Sequence, residues 1–263
     1  MTVRSDLRDL GPARVLDVRL ARPDRANALD PATVDALDAA FARAEEGDVD
    51  LVVLTAEGRV FCGGIDLSDA DDETDATWLH RFCRIQLLLE RVGRSPATTV
   101  ARVEGPALGV GADLVLATDV RLATPQARLA FPGSRFGVVL GTARLAALAG
   151  PAFAQEVTLT RCTIDAARAE RAGLWKVHDA GADVDIVADL AREAAITGAA
   201  TRARLRAAVA PPAPADPLGA LVRSLVGESG LAERVRRHRD AVRNTRAPSP
   251  SSVHDPVRRE EKR

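Results

Sequence analysis

Lysine is nearly missing from this chain of 263 residues: only Lys176 and Lys262 occur, and arginine carries the positive charge. The totals of 36 Lys+Arg and 37 Asp+Glu leave a formal net charge of −1, with no long basic block ahead of the last residues. Without such a block, nucleic acid is not expected as the main partner. Cysteine is scarce as well. Cys62, Cys83 and Cys162 are odd in number and lack the spacing of a metal cluster. Neither a disulfide framework nor a metal site is expected, and a reducing compartment is. Apolar residues make up 46% of the chain, enough for a sizeable core, yet no apolar run approaches the ~20 residues of a membrane span. The opening "MTVRSDLRDLG" is charged and lacks the apolar centre of a signal peptide. A soluble, cytoplasmic protein without membrane contact is expected, of one large domain or two modest ones. No internal repeat and no redox motif is visible, so no cofactor is expected beyond what a substrate itself carries.

Strand and helix signals alternate along the first two thirds. "ARVLDVRLARP" (13–23) alternates apolar and polar residues as a strand does, and "VDLVVLTAEG" (49–58) and "TTVARVEG" (98–105) are short apolar runs suited to buried strands. "DPATVDALDAAFARAEE" (30–46) has an aspartate cap, a proline at the first helical position and helical apolar spacing. "ATWLHRFCRIQLLLERVGRS" (76–95) is an amphipathic helix, "VRLAT" (120–124) a short strand, and helices are expected from about residue 142 onward. This alternation indicates an α/β core over residues 1–182. A helical region over 183–246 follows, with a proline-rich break "APPAPADP" (210–217) and a basic helix over 230–246 whose arginines are expected on a solvated face. A disordered tail is expected over 247–263.

Two glycine-bearing loops stand out. "FCGGIDLSD" (61–69) follows a buried strand, and "GPALGVGADLVLATD" (105–119) opens a helix. The second is not a dinucleotide fingerprint, because Gly105, Gly109 and Gly111 have the wrong spacing, and it lacks the Gly-Lys-Ser/Thr ending of a phosphate loop. Glycines here serve tight packing of strand on helix, or they leave backbone amides approachable to a developing oxyanion. One donor makes a weak site; two loops supply two.

The loops occur in an order that resembles the crotonase superfamily, the enoyl-CoA hydratase/isomerase family. "RPDRANALD" (22–30) resembles its P-x-x-x-N-A-L turn, and "VFCGGIDL" (60–67) its F-C-A-G-A-D-L. "VEGPALGVGADLVLATDVRLAT" (103–124) resembles its V-x-G-x-A-x-G-G-G-x-E-L-x-L-x-C-D-x-R-x-A, and "EVTLTRCTIDAARAERAGLWKVH" (156–178) its next motif. The likeness spans roughly residues 13–180. It implies a crotonase (ClpP/crotonase-like) fold of repeated ββα units, with C-terminal helices that cover the pocket and build a homotrimer or hexamer. It also implies a substrate that is an acyl-CoA or a carrier-bound acyl thioester. Two amides would hold the thioester oxygen as it becomes an enolate; by position they belong to Ile65 and Val110. The chain around Arg25, Asn27 and Ala28, with Gly63, Gly64 and Asp66, would line the CoA site.

The chain departs from the family at the acids. Of the two glutamates of the hydratases, the first falls on Asp113, one methylene shorter, and the second on Gly133, where P-E has become P-G in "LAFPGSRFG" (129–137). A positioned acid or base is worth roughly 10²–10⁴ in rate, so ordinary enoyl-CoA hydration is not expected to be efficient. Val110 replaces the middle glycine of a triplet, and "GVVLGTARL" (137–145) offers Gly141 and Thr142 where dehalogenase-like members place an aspartate. Asp66, His80, Ser134 and Arg135 are candidates for a replacement group. Asp113 is the first choice, although an acid in a first helical turn is also favoured by the helix dipole alone. Asp119 is expected to cap the next turn. A lyase- or isomerase-type enzyme follows, with decarboxylation, thioester hydrolysis or double-bond movement open to it. The other reading is a non-catalytic acyl-CoA-binding or assembly protein.

Overall fold

The computed structural model describes residues 1–46, 48–179, 181, 183–209 and 216–246. The expected tail (247–263) and most of the proline-rich break (210–215) lie outside them. Among the described residues the strands are β1 Val3–Leu10, β2 Ala13–Leu20, β3 Leu51–Ala56, β4 Thr98–Val103, β5 Pro106–Leu108, β6 Val120–Ala123, β7 Arg128–Ala130, β8 Ile164–Asp165 and β9 Lys176–Val177. The α-helices among the same residues are α1 Pro31–Glu45, α2 Asp75–Arg94, α3 Val110–Leu116, α4 Thr142–Ala149, α5 Pro151–Thr160, α6 Ala166–Arg171, α7 Asp183–Thr197, α8 Ala199–Val209, α9 Pro217–Val226 and α10 Leu231–Arg246.

A six-stranded sheet of order β1-β2-β3-β4-β6-β9 is parallel from β2 onward, and a three-stranded sheet of order β5-β7-β8 lies beside it. The pairs β4–β5 and β6–β7 each cross from the large sheet to the small one before the chain enters a helix, the ββα arrangement. Helices cover both faces of the large sheet, which explains the near-continuous apolar runs of β3 and β4. Val52 and Leu54 of β3 join one core with Leu37 and Phe41 of α1 and Leu88 and Leu89 of α2. Leu51 and Val53 point the other way, against Val187 and Ala191 of α7. Each fully buried Leu or Phe of this kind contributes ~1.5–3 kcal/mol by leaving water.

The charged start is a strand that its composition hides. β1 pairs antiparallel with β2 in the register Val3↔Leu20 to Leu10↔Ala13. It lies at the sheet edge with one face in water, so it alternates charged with apolar residues, and Arg8 pairs with Asp17 across the strands. The stretch 105–119 also holds more than a turn and a helix: β5 precedes α3, and α3 has only seven residues.

The basic helix α10 keeps Arg237 and Arg243 exposed as expected, but other arginines are anchored in the fold, which corrects the expectation for that part of its face. Arg239 is buried and bonds both oxygens of Asp71 (2.6 and 2.9 Å), while the Arg234 guanidinium donates to the carbonyls of Phe136, Glu228 and Ser229. Asp75, in the first turn of α2, accepts from the amides of Gly230 and Ala232 (3.2 and 2.7 Å). Leu231 and Val235 complete a second core with Trp78 and Phe82 of α2, Phe136 and Leu221. These contacts fix α10 along one wall of the site.

Candidate active site

The two glycine loops are stitched together by backbone. The Cys62 amide donates to Pro106 O (3.2 Å) and the Leu108 amide to Cys62 O (2.8 Å). So close an approach requires glycine at two places. A Cβ on Gly111 would stand 2.6 Å from Cys62 Cβ, and one on Gly64, whose φ is +101°, would stand 3.0 Å from Leu108 O. Burial pushes the Cys62 thiol up to about 12, so it packs as an inert group in this seam. Behind the first loop, the turn 22–30 acts as a buttress. Asn27 is 1% exposed. It accepts from the Arg22 amide and donates to the carbonyls of Glu57 and Val60, all at 2.8 Å. The Gly63 amide donates to Ala26 O, the Leu29 amide to Gly64 O and the Asp66 amide to Leu29 O.

Ile65 and Val110 both line one cavity, and neither backbone amide finds an acceptor among the described residues. Val110 is the first residue of α3 and Gly109 takes the positive φ, +53°. A β-branched side chain at 110 is therefore unstrained. The cavity encloses about 230 Å³ and its remaining lining is mainly apolar, with Phe82, Phe131, Val138 and Leu140 among it.

One carboxyl group reaches this space. Asp113 is 5% exposed, and its Oδ1 is buried with no hydrogen-bond partner. Burial raises its pKa to about 7, with the positive charge of Arg144 on α4 opposing the rise. A carboxyl that served only as a helix-start charge would sit in water or cap an amide; this one does neither. Gly141 explains how it fits. A Cβ there would lie 1.7 Å from Asp113 Oδ1, so the loop backbone closes directly over the carboxyl. Gly141→Ala is expected to displace the carboxyl by an ångström or so and to lower kcat on the order of 10²-fold. Steady-state turnover beside a thioester binding assay checks this; unchanged kcat would show that the group has no positioned role.

The other expected residues fall in different places. Gly63 and Gly64 line the cavity with Ile65. Arg25 is exposed and Ala28 half-buried on the buttress turn beside Gly63. Asp66 faces away from the cavity, pairing with Arg22 (3.1 Å) and accepting from the Ser68 amide (2.9 Å). Burial raises its pKa, but the bonds from Ser68 and Arg22 outweigh it and hold the carboxyl below its ordinary value. It is an ionised clamp on the loop. His80 is exposed on α2 and lines a separate small cleft with Asp30 and Arg84. Ser134 lines the cavity but donates to Thr158 O (2.9 Å). Asp119 accepts from the Thr99 amide and hydroxyl and pairs with Arg206, a structural tie. Among the described residues, no group of three or more His, Cys, Asp or Glu side chains could hold a metal ion, and no helix is long and apolar enough to cross a membrane.

A profile of the family described as enoyl-CoA hydratase/isomerase matches residues 11–213. The chain belongs to the enoyl-CoA hydratase/isomerase family. A probable enoyl-CoA hydratase of Rhodobacter capsulatus is 34% identical over 243 residues, 88% of this chain and 92% of the relative. A probable enoyl-CoA hydratase of Mycobacterium tuberculosis is also 34% identical, over 149 residues; that match spans 56% of this chain and 59% of the mycobacterial protein. Among solved structures, a putative enoyl-CoA hydratase/isomerase from Bordetella parapertussis superposes with a TM-score of 0.84 at 33% identity, covering 90% of this chain and 98% of the other. An enoyl-CoA hydratase from Mycobacterium avium subsp. paratuberculosis gives 0.78 at 27% identity, covering 96% and 99%. The fold is the crotonase fold.

In this member of the enoyl-CoA hydratase/isomerase family, Gly133 lines the cavity beside Asp113 and contributes no carboxylate. The elements that wall the cavity, the helix over 76–95 and the C-terminal helices, were expected; what sequence reasoning did not single out were the particular residues, Phe82 on α2 and His238 on α10 in the lining and Arg144 as the charge near Asp113. A helical-wheel reading of α10 would have found His238, since it follows Leu231 and Val235 at spacings of four and three on the buried stripe.

Proposed function

We propose that the chain moves a proton at the carbon next to the carbonyl of an acyl-CoA thioester, and that its reaction is double-bond isomerisation of an enoyl-CoA. The observation that supports this is the meeting, in one apolar cavity, of two partnerless backbone amides and a single carboxyl group with a pKa near 7. The thioester oxygen accepts from the Ile65 and Val110 amides. Ionised Asp113 takes a proton from the α carbon of a 3-enoyl group, and the electron pair moves through the carbonyl into a dienolate whose oxygen the two amides stabilise. The protonated Asp113 then returns the proton at the γ carbon, leaving a 2-enoyl thioester. One carboxyl suffices, because it takes and gives back the same proton. A pKa near 7 keeps both of its forms populated at neutral pH. Hydration asks more, since a water must be held and split between two groups, and Gly133 supplies none. The same thioester on a carrier protein would meet the same groups.

The test is incubation with 3-enoyl-CoA, crotonyl-CoA, a malonyl-type CoA and a saturated acyl-CoA in D₂O, read by mass spectrometry. Conversion of 3-enoyl-CoA to 2-enoyl-CoA is expected, with the substrate's own proton carried to the γ carbon and little deuterium taken up from solvent. Hydration of crotonyl-CoA at an ordinary enzymatic rate would overturn the reading. Decarboxylation or hydrolysis alone would keep the two amides and discard the proton shuttle. Binding without any product would favour the non-catalytic protein.

A complementary gain is expected at Gly133. Its backbone is not in the left-handed region, and a Cβ would lie 3.1 Å from Val138 O, so a side chain fits after a shift of a few tenths of an ångström. Gly133→Glu returns a second carboxylate to the cavity, and hydration of crotonyl-CoA should rise by about 10²-fold over the parent. Product quantification by chromatography checks it.

A further inference from the structure

α10 carries a cationic cleft that opens beside the cavity. Arg135, Arg234, Arg237 and His238 line a space of about 260 Å³, and His238 also lines the cavity that holds Asp113. The His238 ring packs against Phe136 at a tilt of 38°, with centroids 5.0 Å apart. Phe136 itself lines the cavity, so this ring pair is the partition between the two spaces.

The charges there are poorly compensated. Arg234 donates to carbonyls of Phe136, Glu228 and Ser229, which satisfies its hydrogens and leaves its charge unpaired by any carboxylate among the described residues. Arg135 is exposed and makes no ion pair among them. Arg237 has a long contact of 3.8 Å to Glu233, a carboxylate that Arg236 holds more closely at 3.2 Å. Asp240 and Asp71 are taken by Arg239, and Asp75, whose charge acts on Arg234, is occupied by the amides of Gly230 and Ala232. Of the three cations on this space, only Arg237 has an ion-pair contact among the described residues, the long one to Glu233. At the partition, His238 Nδ1 is buried without a hydrogen-bond partner. Burial, with Arg135 adding to it, lowers the ring's pKa, so the neutral imidazole has an N–H to offer an anion without adding a fourth charge to desolvate.

We propose that the acyl groups processed by this chain carry a carboxylate at the end remote from the thioester, received at His238 by Arg135 and Arg237. The inference rests on the reading of the cavity as an acyl-thioester site and names the substrate class it takes: the mono-thioester of a dicarboxylic acid. The geometry suits this division. Ile65, Val110 and Asp113 line the cavity together with the apolar side chains of Phe82, Phe136 and Val138, which suit methylenes, and His238 is shared between this lining and that of the cationic cleft. A plain fatty acyl chain would leave the arginine charges unanswered. Phosphates of CoA are the other anions able to answer them, and the experiment separates the two.

Binding would be measured by calorimetry for glutaryl-, adipoyl- and suberoyl-CoA against butyryl-, hexanoyl- and octanoyl-CoA, and for the corresponding pantetheine thioesters, which lack CoA phosphates. At least one dicarboxylic ester is expected to bind about tenfold tighter than its length-matched monoacyl partner in both series, as charge-assisted hydrogen bonds allow. In the Arg135→Met/Arg237→Met double variant that ratio should fall toward one. No preference at any length overturns the proposal. So does a variant that weakens every CoA ester alike while leaving pantetheine esters unaffected, because the cations then serve CoA phosphates. Binding of neither series would remove the thioester reading itself, and this proposal with it.

Discussion

Asp113→Asn should lower turnover by roughly 10²–10⁴-fold while leaving thioester binding in place, the loss expected when a positioned acid or base becomes an isosteric amide. The pH dependence gives the second signature. The ionised form starts the reaction, so kcat/KM of the parent should rise through a pH of about 7, the value to which burial brings this carboxyl, and any residual activity of the variant should lose that inflection. Stability should move the opposite way. Because the folded-state pKa is raised from its model-compound 3.8, the folded protein holds a proton that the unfolded chain has released between about pH 4 and 7. The parent is therefore least penalised below about pH 4, and stability falls as pH rises through the folded value. Removing the ionisable group should make the variant more resistant to urea at about pH 8 than the parent, by up to ~4 kcal/mol, and little different at about pH 4. A variant that is inactive and less stable at high pH would mean that Asp113 serves the fold.

Val110→Pro is the second large effect. Proline at the first position of a helix has a suitable φ and gives up only an amide that no intrahelical bond uses. Val110 occupies that position in α3, and the residue before it is a glycine. The substitution therefore deletes one proposed oxyanion donor and little else. Loss of such a donor costs about 10²–10³ in kcat. Val110→Ala, which keeps the amide and trims the side chain, should retain most of the rate. Stopped-assay kinetics on both, with circular dichroism to confirm the fold, decide the matter. Equal losses in the two variants would mean that the isopropyl group matters and the amide does not.

The strands that face helices on both sides were legible because burial on both faces demands nearly continuous apolar residues, as in Leu51–Leu54, and in Val100–Val103 where only Arg102 breaks the run. The helices α1 and α2 announced themselves by their caps and periodicity: Asp30 bonds the Thr33 amide, and apolar side chains return at helical spacing. β1 was hidden because an edge strand needs one apolar face at most, and β7, β8 and β9 because two or three residues are too few to show a period. At the site, the glycines showed only where backbones could approach closely; it was the likeness of the two loops to the family's motifs that pointed to Ile65, Val110 and Asp113.

Chemical inventory is legible residue by residue: two glycine-bearing loops, two acids in the second, Asp113 and Asp119, and no acid at Gly133. The tertiary structure decided the state of that inventory. Asp113 owes its pKa near 7 to exclusion of water by α3 and by the Gly141 backbone, 28 residues further on, and Asp66 and Asn27 were turned from candidate ligand contacts into clamps by partners across the loops. His238 reaches the cavity wall, and Arg234 and Arg237 the cleft beside it, on a helix that Asp75 and Asp71 tie down. The difference has one physical origin. Which backbone can bend or approach closely is a local property written residue by residue. Desolvation and charge pairing depend on neighbours that are close in space and remote in the chain.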